Sequence, residues 1–323
     1  MSSISVVIPT WNRRALLETL ILSLAGQTVR PVEVVVVDNG SEDDSAAVAG
    51  RMGARVVQLG KNLGFAAAVN RGIEESIGDW VAIVNNDVEP EPDWLERLIE
   101  GAGPAWFAAG KLMDASRAGV LDGAFDEITR SGCACRCGNG SADGPLWNVK
   151  RSIRMAPFTA ALFRRDLFGR IGVLDERFES YLEDVDFGMR CALAGFGGVY
   201  VPDAVARHQG SATLGKWHPD TVQRMARNQV LLVAKHFPEN WAWRYGWAIL
   251  VGQTLWGLVA LRHGAGLAWI RGKWAGCRLY WKLRDANSRG NVDQILRESE
   301  AVIRDLQTKT GFNWYWKLYF GLT

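Results

Sequence analysis

Four carboxylates fall within eight residues in Glu179-Ser180-Tyr181-Leu182-Glu183-Asp184-Val185-Asp186. At a helix start such acids serve as caps that complement the dipole. Four so close also repel one another, which a cap does not require, and that crowding would suit a general base with a raised pKa. Asp87 closes Asn85-Asn86-Asp87 directly after an apolar run. A carboxylate at a strand end suits a divalent cation bridging a diphosphate, and equally an Asn/Asp turn. Val37-Asp38-Asn39-Gly40-Ser41 offers an acceptor for a pyrimidine ring NH, a glycine for a tight turn and a serine cap, or only a strand-to-helix turn. The small side chains from Asn62-Leu63-Gly64-Phe65 to Gly72 admit either a ligand or close helix–sheet packing, although Asn70 and Arg71 are harder to explain by packing alone. His208, in Ala206-Arg207-His208-Gln209-Gly210-Ser211, is a divalent-metal ligand or a structural hydrogen-bonder. Cys133, Cys135 and Cys137 lack the spacing and the second pair of a zinc site, and read as free thiols in a loop.

These residues need a scaffold, and the first hundred residues predict one. Apolar, β-branched runs at Ile4–Ile8, Val32–Val37, Arg55–Leu59 and Trp80–Val84 alternate with helical patterns at Arg13–Ala25, Asp43–Met52, Ala66–Ile77 and Pro92–Glu100. Continuous apolarity means strands covered on both faces, hence a mostly parallel α/β sheet. Pro9-Thr10-Trp11-Asn12, Asp38 to Ser41 and Asn85 to Asp87 then lie at the carboxyl ends of strands, where open α/β sheets bind ligands. Residues 101–153 suggest a sheet extension with a mobile loop. Ala161–Gly172, Val185–Ala194 and Pro219–His236 read as helices, and Gly198–Val201 as a strand.

Order and spacing together are more specific than any single motif. The chain resembles family 2 glycosyltransferases of the GT-A fold, in particular their rhamnosyltransferase-like branch. The resemblance spans residues 4 to 240. It is carried by Val7-Ile8-Pro9-Thr10-Trp11-Asn12-Arg13, Val37 to Ser41, Asn62 to Phe65, Asn85-Asn86-Asp87, Glu183-Asp184-Val185-Asp186 and His208, with Phe163-Arg164-Arg165, Ile171-Gly172 and Asp175-Glu176 leading to the acidic motif. It implies an inverting transferase moving a sugar from a nucleotide diphosphate donor, a UDP-sugar or dTDP-rhamnose, to a hydroxyl of a glycan or lipid-linked acceptor. Pro9, Thr10 and Asn12 would line the donor pocket. Asp38, beside Asn39, would pair with the uracil or thymine ring. Asn62, Gly64 and Asn70 would shape the nucleotide-sugar floor, with Asn86 a further donor contact. Asp87 and His208 would hold Mg²⁺ or Mn²⁺. Asp184 would be the base, with Glu183 orienting the acceptor. The motif Asn-Asn-Asp carries one acid where the family's Asp-x-Asp carries two, which implies that diphosphate oxygens and waters complete the shell.

A net charge of +2 over 323 residues gives no footprint for nucleic acid. Five cysteines suggest no disulfide framework, and an apolar strand beginning at Ile4 leaves no room for a signal peptide, so the expected place is the cytoplasm. Seven of the 15 tryptophans lie between Trp241 and Trp281, interleaved with Arg and Lys. The apolar stretch from Gly246 to Leu261 is shorter than the roughly 20 residues of a spanning helix and contains Gln253. The expected division is therefore a catalytic domain over 1–240 and a helical tail over 241–323. The tail would lie at the inner face of the cell membrane, pack on the catalytic domain or form a homo-oligomer. Two other functions share such a sheet. A sugar nucleotidyltransferase would want a Gly-rich phosphate loop after the first strand, where Pro9-Thr10-Trp11-Asn12 stands. A non-catalytic scaffold would be at odds with Glu183-Asp184.

Overall fold

All seven residues of β1 (Ile4–Thr10) are buried, as a strand covered on both faces requires. The computed structural model describes residues 3–210, 217–284 and 291–323. After β1 come α1 (Arg14–Ala25), β2 (Glu33–Asp38), α2 (Ser45–Arg51), β3 (Arg55–Gln58), α3 (Phe65–Glu75), β4 (Trp80–Val84), β5 (Val88–Pro90) and α4 (Trp94–Ala102). Then follow β6 (Phe107–Asp114), β7 (Leu121–Gly123), β8 (Phe125–Ile128), β9 (Ala134–Cys137), β10 (Arg151–Ile153), β11 (Ala160–Arg164), α5 (Arg165–Ile171), α6 (Glu183–Leu193) and β12 (Gly198–His208). The chain continues through α7 (Pro219–His236), α8 (Trp241–Arg262), α9 (Gly266–Leu283), α10 (Val292–Thr310) and α11 (Trp314–Leu322).

The main sheet runs β10-β12-β6-β11-β4-β1-β2-β3, with β5 on β12 and β7 on β6. β4, β1, β2 and β3 are mutually parallel. β11 enters antiparallel between β4 and β6, and β6 and β12 are again parallel. The expected mostly parallel α/β sheet is thus present. Leu17, Leu20, Ile21 and Leu24 of α1, and Trp94, Leu95 and Leu98 of α4, recur at helical spacing and are buried in the core with Val6, Ile8 and Val36 of the strands. On α3 a Cβ at Gly72 would lie 2.2 Å from Val7 Cγ1, so the missing side chain sets how closely this helix lies on the sheet.

Two sequence expectations need correction. Residues 161–172 are not one helix: Ala160–Arg164 is strand β11, and only Arg165–Ile171 is helical. The run Ala-Ala-Leu-Phe suits either state, and pairing with strands on both sides decides it. The strand expected over Gly198–Val201 continues to His208 through an irregularity between Val201 and Val205, which carries the histidine to the sheet's ligand edge.

The chain forms two compact units. One comprises Met1–Phe125, Gly138–Cys191 and Gly195–Thr213 and contains the main sheet. The other comprises Asp126–Cys137, Ala192–Ala194 and Leu214–Thr323. The helical unit therefore takes in α7 and the β8–β9 hairpin as well as residues 241–323. Gly272 and Gly276 explain the place of α7: a Cβ there would come within 2.3 Å of Gln223 O and 2.7 Å of Val230 Cβ, so α9 packs backbone-close on α7. Hairpin polar groups find partners on the helices. Arg130 Nε donates to Glu300 Oε2 at 2.6 Å, Ile128 N to Ser299 Oγ at 2.8 Å, and Gln253 Nε2 to Ser131 O at 2.8 Å. Gln253, the polar residue in the apolar stretch, thus has a structural use. Among the described residues no helix is long and apolar enough to cross a membrane.

Candidate active site

The parallel register places Pro9 opposite Val37 and Thr10 opposite Asp38, so β1 and β2 end together. Thr10 is buried, and its Oγ1 accepts from Asn86 Nδ2 at 2.8 Å, tying the end of β1 to the segment after β4. Asn12 joins the next strand end: its N–H donates to Ser41 Oγ at 2.7 Å, and its Oδ1 accepts from Glu42 N at 2.9 Å. Asp38 is buried and accepts from Ser41 N at 3.2 Å. Gly40, at φ 79°, passes so close to Lys61 that a Cβ would sit 2.5 Å from its Cα.

Asn39 carries the connection onward. Its Nδ2 donates to Asn62 Oδ1 and Gly64 O, both at 3.1 Å, while its Oδ1 accepts from Leu63 N at 2.8 Å. Gly64, at φ 94°, lies against Glu179: Ala66 N donates to Glu179 O at 2.8 Å, and Phe65 N to Ser180 Oγ at 3.1 Å. The segment so held leads directly into Glu183 and Asp184. Asn70 serves the same support. Its Nδ2 donates to Leu174 O at 2.9 Å and to Glu176 Oε1 at 3.0 Å, and its Oδ1 accepts from Leu174 N. Its amide thus clamps the approach to the acidic motif.

The structure sorts the four acids. Asp186 is fully buried and paired with Arg190 at 3.1 Å, whose other nitrogens donate to Ile171 O and Val173 O. One of the four crowded charges is therefore compensated by a partner one turn along the helix. Glu183 is 5% exposed, whereas Asp184 is half-buried at the start of α6 with Oδ1 accepting from Val185 N at 2.8 Å. The approach to them is strained. Among the described residues five non-glycines have positive φ: Asn12 and Arg13 in the β1 loop, and Glu179, Tyr181 and Leu182 before α6. Such conformations cost on the order of 1–3 kcal/mol each outside Asn and Asp, and cluster at functional sites.

His208 is buried between two carboxylates, with Nε2 3.3 Å from Asp87 Oδ1 and Nδ1 2.8 Å from Asp122 Oδ2. Burial pulls its pKa down, but the hydrogen bonds to Asp122 and Asp87 outweigh it and raise the pKa from 6.5 to about 9. Asp122 lies on β7, which flanks β6 as β12 does. Sequence reasoning missed it: a lone acid in a Gly-rich stretch carries no motif, and its partner lies 86 residues away. Ser211, the last residue of the His208 motif, lies outside the described residues. Among them no cluster of three or more His, Cys, Asp and Glu could hold a metal unaided. A carboxylate oxygen and an imidazole nitrogen side by side do fit a cation that takes its other ligands from a diphosphate and water. Cys133, Cys135 and Cys137 are free thiols.

One path of contacts thus joins every strand-end motif, from the His208–Asp87 pair and neighbouring Asn86 through Thr10, Asn12, Ser41, Asn39, Asn62 and Gly64 to the segment before Asp184. Solved structures share the fold. The chain superposes on GalNAc-T7 with UDP, GalNAc and Mn²⁺ at TM-score 0.64 and 14% identity, covering 96% of this chain and 58% of that one. It superposes on the mannosyltransferase PcManGT from Pyrobaculum calidifontis, in complex with GDP-Man and Mn²⁺, at TM-score 0.53 and 18% identity, covering 99% and 86%. The fold is that of the GT-A glycosyltransferases. Residues 5–172 match the model of glycosyl transferase family 2, and the chain belongs to that family. It is 32% identical over 290 residues to the N-acetylglucosaminyl-diphospho-decaprenol L-rhamnosyltransferase of Mycobacterium tuberculosis, covering 80% of this chain and 90% of that protein. It is 31% identical over 196 residues to a PGL/p-HBAD biosynthesis glycosyltransferase of Mycobacterium bovis, covering 58% of this chain and 68% of that protein.

Proposed function

We propose that this enzyme transfers a sugar, with inversion, from a nucleotide diphosphate donor to a hydroxyl of a polyprenol-diphosphate-linked glycan at the cytoplasmic face of a membrane. Likeness to the mycobacterial L-rhamnosyltransferase supports rhamnose as the sugar, and dTDP-rhamnose is the donor we propose. The observation that supports the chemistry is the contact path that ends in the segment leading into Asp184. Thr10, Asn12, Asp38 and Asn86 bind the nucleotide, with Asp38 accepting from the pyrimidine ring NH. Asn39, Asn62, Gly64 and Asn70 hold the floor of the site rigid, which lowers the entropic cost of aligning donor and acceptor. Asp184 removes the acceptor proton as that oxygen attacks the anomeric carbon, and a single displacement inverts the configuration. Glu183 orients the acceptor. Asp87 and His208 are the groups that would hold a divalent cation, whose charge would stabilise the departing nucleoside diphosphate. Residues 1–240 carry these steps.

The test is transfer from dTDP-rhamnose and UDP-sugars to a polyprenol-diphosphate N-acetylglucosamine. Asp184→Asn should lose about a thousandfold in turnover while its dTDP affinity stays near wild type. Undiminished turnover would remove Asp184 from its role.

A further inference from the structure

The helical unit leaves an ordered part of its surface apolar. Along α8 the exposed side chains Trp243, Trp247, Leu250, Leu258 and Leu261 follow one helical stripe over the whole helix. Leu267, Ile270, Trp274 and Trp281 do the same on α9, and Trp314, Leu318 and Leu322 on α11. α8 packs against both other helices, and Trp247 Nε1 donates to Leu322 O at 2.8 Å, so the stripes of α8 and α11 adjoin. Trp243 is 94% exposed and Trp281 81%, far beyond what scattered surface residues require. Charge follows the same boundary. Residues 240–284 contain no Asp or Glu, and Arg262, Arg271, Arg278 and Lys282 are exposed beside the stripes. α10, in the same unit, is the control: it buries Ile295, Leu296 and Ile303 and has Glu298, Asp305 and Lys309 on its polar surface.

We propose that the stripes of α8, α9 and α11 form a docking face for an anionic lipid bilayer. Tryptophan favours the headgroup level, leucine and isoleucine reach the acyl boundary, and a basic, acid-free surround favours anionic headgroups. A second copy of this face would bring like charges together, so self-association is disfavoured. The proposal deepens the reading of a lipid-linked acceptor, and its test uses no substrate, so each can fail separately. The full-length chain should co-sediment with vesicles of equal phosphatidylglycerol and phosphatidylcholine, and far less with phosphatidylcholine alone. Combined Trp243→Ser, Trp274→Ser and Trp281→Ser should weaken binding more than tenfold at unchanged thermal stability. Combined Arg271→Gln, Arg278→Gln and Lys282→Gln should remove the preference for anionic vesicles. Full binding by the tryptophan variant overturns the proposal. So does a wild-type chain that ignores vesicles, whether it is monomeric or forms a dimer that the tryptophan variant abolishes.

An independent observation in the other unit concerns Asp122. We also infer that Asp122 is a positioning residue for His208, an inference that rests on Asp87 and His208 as cation ligands. A carboxylate 2.8 Å from Nδ1 accepts a hydrogen bond from it and fixes the ring so that Nε2 faces Asp87, where a bound cation would take the place of the Nε2 proton. Asn139 holds the residue, its Nδ2 donating to the backbone O of Asp122 at 2.8 Å and lying 3.5 Å from Oδ1. Titration of Mn²⁺ alone, then of Mn²⁺ with UDP, reads this without turnover. Asp122→Leu should weaken Mn²⁺ binding roughly tenfold to a hundredfold, and Asp122→Asn, whose amide oxygen still accepts from Nδ1–H, should recover most of it. Unchanged binding in Asp122→Leu, or an equal loss in both variants, overturns the positioning role. If His208→Ala leaves Mn²⁺ binding intact, the ligand assignment itself falls.

Discussion

Among the described residues, all five non-glycines with left-handed backbone lie in the sheet-bearing unit, whereas thirteen of the twenty large apolar side chains left exposed lie in the helical unit. The first unit holds unfavourable backbone in place with buried hydrogen bonds, as a site that must fix reacting groups requires. The second has regular backbone and unburied side chains, as a surface that must meet another phase requires. One unit stores its cost in dihedral angles and the other in solvation.

Four substitutions sharpen or break that contrast. The largest effect is that of Asp184→Asn: about a thousandfold in turnover with the thermal midpoint unchanged; a variant that melts early would make Asp184 structural instead. Next is Lys273→Met in the helical unit. Lys273 is partly buried, with Nζ donating to Gln229 Oε1 at 2.7 Å and to Gln253 Oε1, and desolvation lowers its pKa from 10.5 to about 8. Below pH 8 the charge is present in both folded and unfolded chains. Between pH 8 and 10.5 the folded chain binds fewer protons, so stability should rise, by up to about 3 kcal/mol. Denaturant titrations across that range should show the rise in wild type and a flatter profile in the variant. Gly40→Ala should destabilise by about 2 kcal/mol, because φ is 79° and the new Cβ meets Lys61 backbone at 2.5 Å. The smallest effect is expected from Trp243→Ser, within about 0.5 kcal/mol of wild type in the same titration. A large loss there would mean that the exposed stripe is part of the core.

The placement of the candidate motifs was legible because it depends on local sequence. Asp38-Asn39-Gly40-Ser41, Asn85-Asn86-Asp87 and Glu183-Asp184 are strand ends and a helix start, and spacing places them without tertiary knowledge. Long-range facts were not legible. Asn70 reads as a ligand contact, but its amide clamps Leu174, 104 residues on. Asp122 has no local signal at all. The pairing of Asp186 with Arg190 is local, four residues along one helix, but four clustered acids leave open which of them a single arginine meets. In the fold, β11 was read as helix because its neighbours in the sheet are remote in sequence. The tryptophan-rich tail was visible as composition, but only three-dimensional exposure separates packing residues such as Trp316 from exposed ones such as Trp243.

The β8–β9 hairpin has a consequence for inheritance. Because Asp126–Cys137 belong to the helical unit, that unit is discontinuous in sequence and cannot move between proteins as a terminal cassette. A cut after residue 240 would strip Arg130 and Ser131 of Glu300 and Gln253, leaving buried polar groups exposed in the fragment that remains. Any recombination that exchanges this unit must bring Asp126–Cys137 and Ala192–Ala194 from the middle of the chain with it. Changes in the hairpin are therefore expected to track changes in the helices that receive it.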